Sequence, residues 1–230
     1  MSDLAKKQVV ILDLDRTICT YSRSKEEVLM RAFEECGLES FFTIEAFEAA
    51  METFEGDDAV TTKSDCRRKS CEALAVEHGY ARSIGTELGE VYSHRWRYGP
   101  VEFLDGSETA LSMLADQYEL SLITNAEEAV QRPKLEHLDI RPLFETIVYA
   151  GHDTEYKPHP EPFERALQER GVVSDDALYV GDNFESDVLG ADAVGIDTVW
   201  VSNESPPTDA ETLPTVQIGS LAELPSLLGV

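Results

Sequence analysis

Apolar positions follow two different rhythms along this chain. In one, short runs of apolar residues stand between polar turns, as buried strands require. Residues 8–13, 120–124 ("LSLIT"), 146–150 ("TIVYA"), 177–181 ("ALYVG"), 197–201 ("DTVWV") and 215–218 ("TVQI") have this form. The segments 107–117, 127–138, 160–170, 186–194 and 220–228 between and after them carry the wider spacing of helices, and Pro133 is expected to kink or restart its helix. The stretch "SPPTDAETLP" reads as an extended loop. In the other rhythm, residues 20–100 are nearly all helical. Ser24 and Glu27 form a capping box, and the helix runs through Val28, Leu29, Ala32 and Phe33 to Gly37. A second helix follows Thr43 with Phe47, Ala50, Met51 and Phe54. A third covers about 62–78 and stops at Gly79, and a fourth runs from Ser83 to Arg97, before Pro100.

Strands alternating with helices predict an α/β, Rossmann-like parallel sheet with helices on both faces. The helical block interrupts that alternation after the first strand. The expected organisation is a core of residues 1–19 and 101–230 and an inserted helical domain of residues 20–100.

Composition adjusts this picture modestly. The chain has 230 residues, 42% of them hydrophobic, enough for a real core. No stretch approaches the roughly 20 apolar residues of a membrane helix, and the N-terminal apolar run is too short for a secretory leader, so a soluble cytoplasmic protein is expected. The net charge of −26 argues against nucleic acid and anionic membranes as partners. Acidic residues are spread between periodic apolar positions, and only seven of the 19 basic residues are lysine. That pattern resembles the acidic, lysine-poor surface of halophilic proteins. Cys19, Cys36, Cys66 and Cys71 form no CxxC pair and have no histidine cluster beside them, so reduced thiols are expected rather than a zinc site.

Ligands of open parallel sheets bind at the carboxyl ends of the strands. The residues just past each apolar run are therefore informative. The first run ends in Asp13-Leu14-Asp15, the second in Thr124-Asn125, the third leads to a loop with Lys157-Pro158, and the fourth to Gly181-Asp182 with Asp187 five residues on. A single aspartate after a strand usually caps a helix or a turn; an ordered set from four strands is harder to explain that way. Asp13, Asp15 and Asp182 would repel one another if ionised and unpaired, and a hard cation such as Mg²⁺ would relieve this. A carboxylate nucleophile, a cation, a lysine and hydroxyl donors suit phosphoryl transfer.

With these residues in place, the chain resembles the haloacid dehalogenase superfamily of hydrolases. The motifs are "DLDRT" (13–17), Thr124 of "LITN", Lys157 and "GDNFESD" (181–187), in that order. The helical block stands where members with an alpha-helical cap carry theirs. The segment from "LITN" to "GDNFESD" also looks like the branch of pyrimidine nucleotidases and N-acylneuraminate-9-phosphatases. The resemblance implies that Asp13 attacks phosphorus and forms an aspartyl-phosphate, and that Asp15 protonates the leaving oxygen and later deprotonates water. It implies Mg²⁺ held by Asp13, Asp182 and the backbone carbonyl of Asp15. Thr124, Asn125 and Lys157 would hold the phosphoryl group, with Asp187 behind them orienting metal waters or Lys157. The substrate would be a small phosphorylated metabolite.

An aspartate at position 15 favours phosphate esters over halides, because a halide leaves without a proton. Arg16 departs from the family pattern, where many relatives carry glycine. It is either a tolerated loop residue or a contact to an anionic substrate. Arg23, Arg95, Trp96 and Arg97 are candidate substrate contacts in the cap, although packed or solvated roles suit each of them as well, and His159 reads as a loop residue. The competing functions are a phosphomutase or a dehalogenase-type hydrolase on the same fold, a phospho-accepting receiver domain, and a binding module without catalysis. Receiver domains lack an insertion of this size, and a non-catalytic module would have lost a catalytic residue, which this chain has not. The acidic composition carries its own test: the melting temperature should rise between low and molar salt, and no gain would count against a halophilic surface.

Overall fold

The computed structural model describes residues 4–54, 60 and 62–230. Residues 1–3, at the start of the N-terminal stretch where a leader would stand, and residues 55–59 and 61, within the helical block, lie outside the described residues. The chain divides into two compact units, one formed by the residues up to Thr20 with Val101–Val230, the other by Tyr21–Pro100.

The first unit is built on a six-stranded parallel sheet. Its strands are β1 (Val9–Leu12), β4 (Glu119–Thr124), β5 (Phe144–Tyr149), β6 (Ala177–Gly181), β7 (Asp197–Val201) and β8 (Val216–Ile218), in the spatial order β5-β4-β1-β6-β7-β8. Every expected strand is present, displaced by at most two residues at an end. The sheet is flanked by helices α5 (Ser107–Ala115), α6 (Glu128–His137), α7 (Glu161–Arg170) and α9 (Leu224–Leu228). Because β4 and β6 lie on opposite sides of β1, the strand order reverses there, which opens a crevice at the carboxyl ends of these strands. The core on one face packs Val9, Ile11, Ile123, Val148, Phe163, Tyr179 and Ile196, all nearly inaccessible to solvent.

Three local features differ from the sequence expectation. Helix α6 continues through Pro133 without restarting. Proline forfeits its own N–H bond, which here would reach only into the first turn of the helix. The segment expected as a short helix over 186–194 begins instead as a wide π-helical turn, Phe184–Leu189, and becomes α-helical only at α8 (Gly190–Asp192). Two short strands, β2 (Cys19–Tyr21) and β3 (Val101–Phe103), have no counterpart in the sequence expectation; they pair where the chain leaves and re-enters the first unit, and three residues are too few to give a periodic signal.

The second unit contains α1 (Lys25–Glu35), α2 (Ile44–Phe54), α3 (Lys63–Glu77) and α4 (Arg82–Arg97). The capping box of α1 is formed as its sequence implies: the Ser24 hydroxyl accepts from the Glu27 N–H at 3.1 Å and the Glu27 carboxylate from the Ser24 N–H at 3.0 Å. A core of Val28, Leu29, Phe33, Phe47, Leu74, Leu88 and Tyr92 joins the four helices. No described helix of either unit is long and apolar enough to cross a membrane.

Helices α3 and α4 meet backbone to backbone at two glycines. A Cβ on Gly85 would lie 2.4 Å from the Cys71 carbonyl oxygen, and one on Gly89 would lie 2.6 Å from Cα of Arg68. Neither obstacle is a flexible side chain, so the helices would have to separate. Gly85→Ala should therefore cost about 1–3 kcal/mol, despite alanine's better helix propensity. Urea unfolding monitored by circular dichroism checks this; an unchanged or raised midpoint would contradict the close approach.

Candidate active site

The hydrogen-bonding pattern of β1 continues one residue beyond the strand, with the Asp13 N–H donating to the Val180 carbonyl at 2.9 Å. This fixes Asp13 at the sheet edge, buried, while its neighbour Leu14 turns into the interior. The Lys157 ammonium lies against Asp13, 2.8 Å from its Oδ1. The same nitrogen is 2.7 Å from Asp187 Oδ1, 2.8 Å from the Tyr179 hydroxyl and 3.1 Å from the Ile123 carbonyl. The lysine side chain is 1% exposed, so the cation is held entirely by protein oxygens. Burial works against its charge, but Asp13 and Asp187 outweigh it and raise the lysine above its ordinary range. The Tyr179 hydroxyl donates to Asp187 Oδ1 at 3.0 Å, and burial pushes this phenol well above its usual range.

Asn125 braces the backbone of that lysine. Its Nδ2 donates to the Lys157 carbonyl at 2.9 Å and its Oδ1 accepts from the Lys157 N–H at 2.8 Å.

Asp187 is supplied by the π-helical turn. Its Oδ2 accepts from the Asn183 N–H at 2.9 Å, and Asn183 caps the turn by accepting from the Ser186 N–H. A Cβ on Gly181 would stand 2.5 Å from the Asp187 carboxyl, so only glycine admits the aspartate so close to the end of β6. Asp182 is half-buried beside them, and its backbone carbonyl accepts from the Trp200 indole at 2.8 Å. Oxygens of Asp13, Asp182 and Asp187 all lie within 4.8 Å of one another. Burial pushes Asp13 up to about 7, with Lys157 opposing, and lifts Asp182 to about 6, with Arg16 opposing.

Asp15 stands apart from this cluster. The chain between Leu14 and Cys19 closes on itself, with Ile18 N–H on the Leu14 carbonyl at 2.9 Å and Arg16 N–H on the Cys19 carbonyl at 2.7 Å. The loop turns the Asp15 side chain toward α6, where Lys134 Nζ reaches its Oδ1 at 2.6 Å and Gln131 Nε2 its Oδ2 at 2.7 Å. Gln131 Nε2 also donates to Thr124 Oγ1 at 2.8 Å. Arg16 adopts φ +66°; its side chain is 77% exposed, with Nε 3.3 Å from Asp182 Oδ2. A groove of about 610 Å³ opens beside Arg16 and Asp182, bordered by Ser202, Asn203 and Ser220.

Gln131, Lys134 and Tyr179 do not stand out in the sequence, because each sits inside an ordinary helix or strand pattern. His159 is an exposed loop residue whose ring nitrogen accepts from the Glu161 N–H at 3.3 Å. In the second unit, Arg95 pairs with Glu35, and the Trp96 ring lies 4.9 Å from that of Tyr21.

A family model described as haloacid dehalogenase-like hydrolase matches residues 10–201. The HAD-hydrolase YfnB of Bacillus subtilis is 26% identical over 99% of this chain and 97% of its own length. Its magnesium-bound crystal structure superposes with a TM-score of 0.76 at 24% identity, covering 98% of this chain and 100% of that one. The mouse N-acylneuraminate-9-phosphatase is 32% identical over 67% of this chain and 64% of that protein. The pyrimidine 5'-nucleotidase YjjG of Escherichia coli is 25% identical over 95% and 96%. With its parallel sheet and its carboxylates and lysine at the strand ends, the chain belongs to the haloacid dehalogenase-like hydrolases.

Proposed function

We propose that this chain is a Mg²⁺-dependent phosphatase of small phosphate monoesters that works through an aspartyl-phosphate. The observation that carries the reading is the separation of two carboxylates in one motif: Asp13 against buried Lys157, Asp15 on its own partners outside the carboxylate cluster. A nucleophile and a proton-transfer group need different surroundings, and these two have them. Asp13 Oδ attacks phosphorus, the ester P–O bond breaks, and the leaving oxygen takes a proton from Asp15. Water then attacks the phosphoryl group, Asp15 receives its proton, and the bond to Asp13 breaks to release phosphate. Thr124 steadies the phosphoryl oxygens, Lys157 steadies Asp13, and Asn125 acts through the backbone of Lys157.

The donor set suits a hard cation: only carboxylate oxygens, close enough to share one ion. Asp13 and Asp182 would hold it, joined by the Asp15 backbone carbonyl, with Asp187 supporting them. The ion would neutralise charge on the phosphoryl oxygens.

The inserted helical unit is the substrate-selecting cap on this reading, supported by its insertion in the chain directly after the Asp15 loop. A small phosphorylated metabolite as substrate is supported by relatives named for such compounds, among them phosphoserine phosphatase and glyceraldehyde 3-phosphate phosphatase.

A screen of phosphate monoesters with Mg²⁺ should give released phosphate, and Asp13→Asn should lower turnover by more than about a thousandfold. Activity surviving in Asp13→Asn would sink the mechanism, and transfer to a sugar in place of phosphate release would indicate a mutase. Metal binding should also depend on pH in a set direction. Asp13 and Asp182 are raised, so below about 7 and about 6 they hold protons that a cation must displace. At one Mg²⁺ concentration, the rise in melting temperature should be larger at about pH 7.5 than at about pH 5.5. Equal shifts at the two pH values would contradict carboxylate ligation by this pair.

A further inference from the structure

Helix α6 presents two buried polar side chains, Gln131 and Lys134, to the two oxygens of one carboxylate. Gln131 is 1% exposed and Lys134 5%. They are three residues apart, so they share a helix face. Lys134 takes Oδ1 of Asp15 and Gln131 takes Oδ2. Each oxygen of the carboxylate is thereby held by its own donor.

The glutamine distinguishes this from a plain structural ion pair. Its Nε2 carries two hydrogens, one directed at Asp15 Oδ2 and the other at Thr124 Oγ1. Both neighbouring oxygens lie on the nitrogen side of the amide, which fixes its orientation. The consequence falls on the other end, where Oε1 is buried with no hydrogen-bond partner. A buried acceptor left unpaired is destabilising, and a leucine of similar size would not carry one. A residue kept at such a cost calls for a role outside stability. Thr124 gains a definite role too, since accepting from Gln131 leaves its own O–H free to donate toward a phosphoryl oxygen.

We propose that Gln131 and Lys134 are positioning residues of the reaction. Together they fix the carboxyl of Asp15, and Gln131 ties that carboxyl to the hydroxyl of Thr124, so the group that moves the proton and a group that holds the phosphoryl oxygens share one frame. The inference rests on reading Asp15 as the proton-transfer group, and the test separates the two.

The measurement is kcat/KM, which reports formation of the aspartyl-phosphate, for two kinds of ester. An alkyl phosphate such as glycerol 2-phosphate needs its leaving oxygen protonated, whereas p-nitrophenyl phosphate releases a stable phenolate. With the alkyl ester, Gln131→Leu and Lys134→Met should each lose about 10–100-fold, and with the aryl ester only a few-fold. Lys134→Arg should recover part of the loss. Gln131→Leu should also weaken competitive inhibition by inorganic phosphate, because Thr124 loses its orienting donor, while Lys134→Met should leave that constant near wild type. Asp15→Asn is the reference. Should Asp15→Asn lose equally on both esters, the reading of Asp15 fails and the proposal with it. Should Asp15→Asn lose selectively on the alkyl ester while both α6 variants behave as wild type, or lose equally on both esters, the positioning role alone is overturned. Gln131→Leu removes no charge, so it keeps the test available if Lys134→Met fails to fold.

Discussion

The arrangement at the strand ends depends on one buried ammonium group. Lys157 Nζ touches Asp13, Asp187, the Tyr179 hydroxyl and the Ile123 carbonyl, and solvent reaches almost none of it. A buried charge is tolerated only when paired and fully hydrogen-bonded, and removing one member of such a pair leaves the other uncompensated, at about 3–5 kcal/mol. The partners come from the residue just past β1, from the π-helical turn, from β6 and from β4. The lysine is thus a joint between four parts of the first unit as well as a neighbour of Asp13. Asn125, which takes both backbone groups of Lys157, extends that joint to the end of β4.

Periodicity, and its limits, decided how much of this was legible in the sequence. Asp13, Thr124 and Asp182 could be found because each ends an apolar run, and strand ends of a parallel sheet share one edge by construction. Tyr179 could not. It pairs in register with Ile11, and Asp13 is two residues beyond Ile11 on the same face, but register across strands is not written in either strand alone. Gln131 and Lys134 were hidden for a similar reason: a lysine and a glutamine on a helix normally face water, and burial depends on what the helix covers. Asp187 was found by spacing, although the spacing suggested an ordinary helix. The wide turn gives Asp187 room to reach back over Gly181, and that fit depends on the missing Cβ.

Arg16 illustrates a residue whose identity and backbone pull in different directions. Its φ of +66° is a conformation in which glycine is at ease and a side chain carries a steric penalty, on the order of 1 kcal/mol. The resemblance accounts for glycine there in many relatives, and the loop geometry supplies the reason: the Arg16 N–H must turn back to the Cys19 carbonyl to close the loop that aims Asp15. In exchange for the strain, this chain gains a guanidinium beside Asp182. Exposed as it is, the pair adds little to stability. Its effect is electrostatic and local, because Arg16 opposes the burial that raises the Asp182 carboxyl.

The charge balance of the site then explains why three carboxylates can share so small a space. Asp13, Asp182 and Asp187 contribute three negative charges within 4.8 Å, and Lys157 returns one positive charge from inside. Arg16 offers a second only from the solvent side, where screening weakens it. Burial pushes the Asp13 and Asp182 carboxyls up to about 7 and about 6, and Lys157 and Arg16 offset only part of it. Asp187 is the member most fully held by donors, from Lys157, Tyr179 and the Asn183 N–H. On the proposed reading, the two raised carboxylates hold the cation, and the one most fully held by donors supports them.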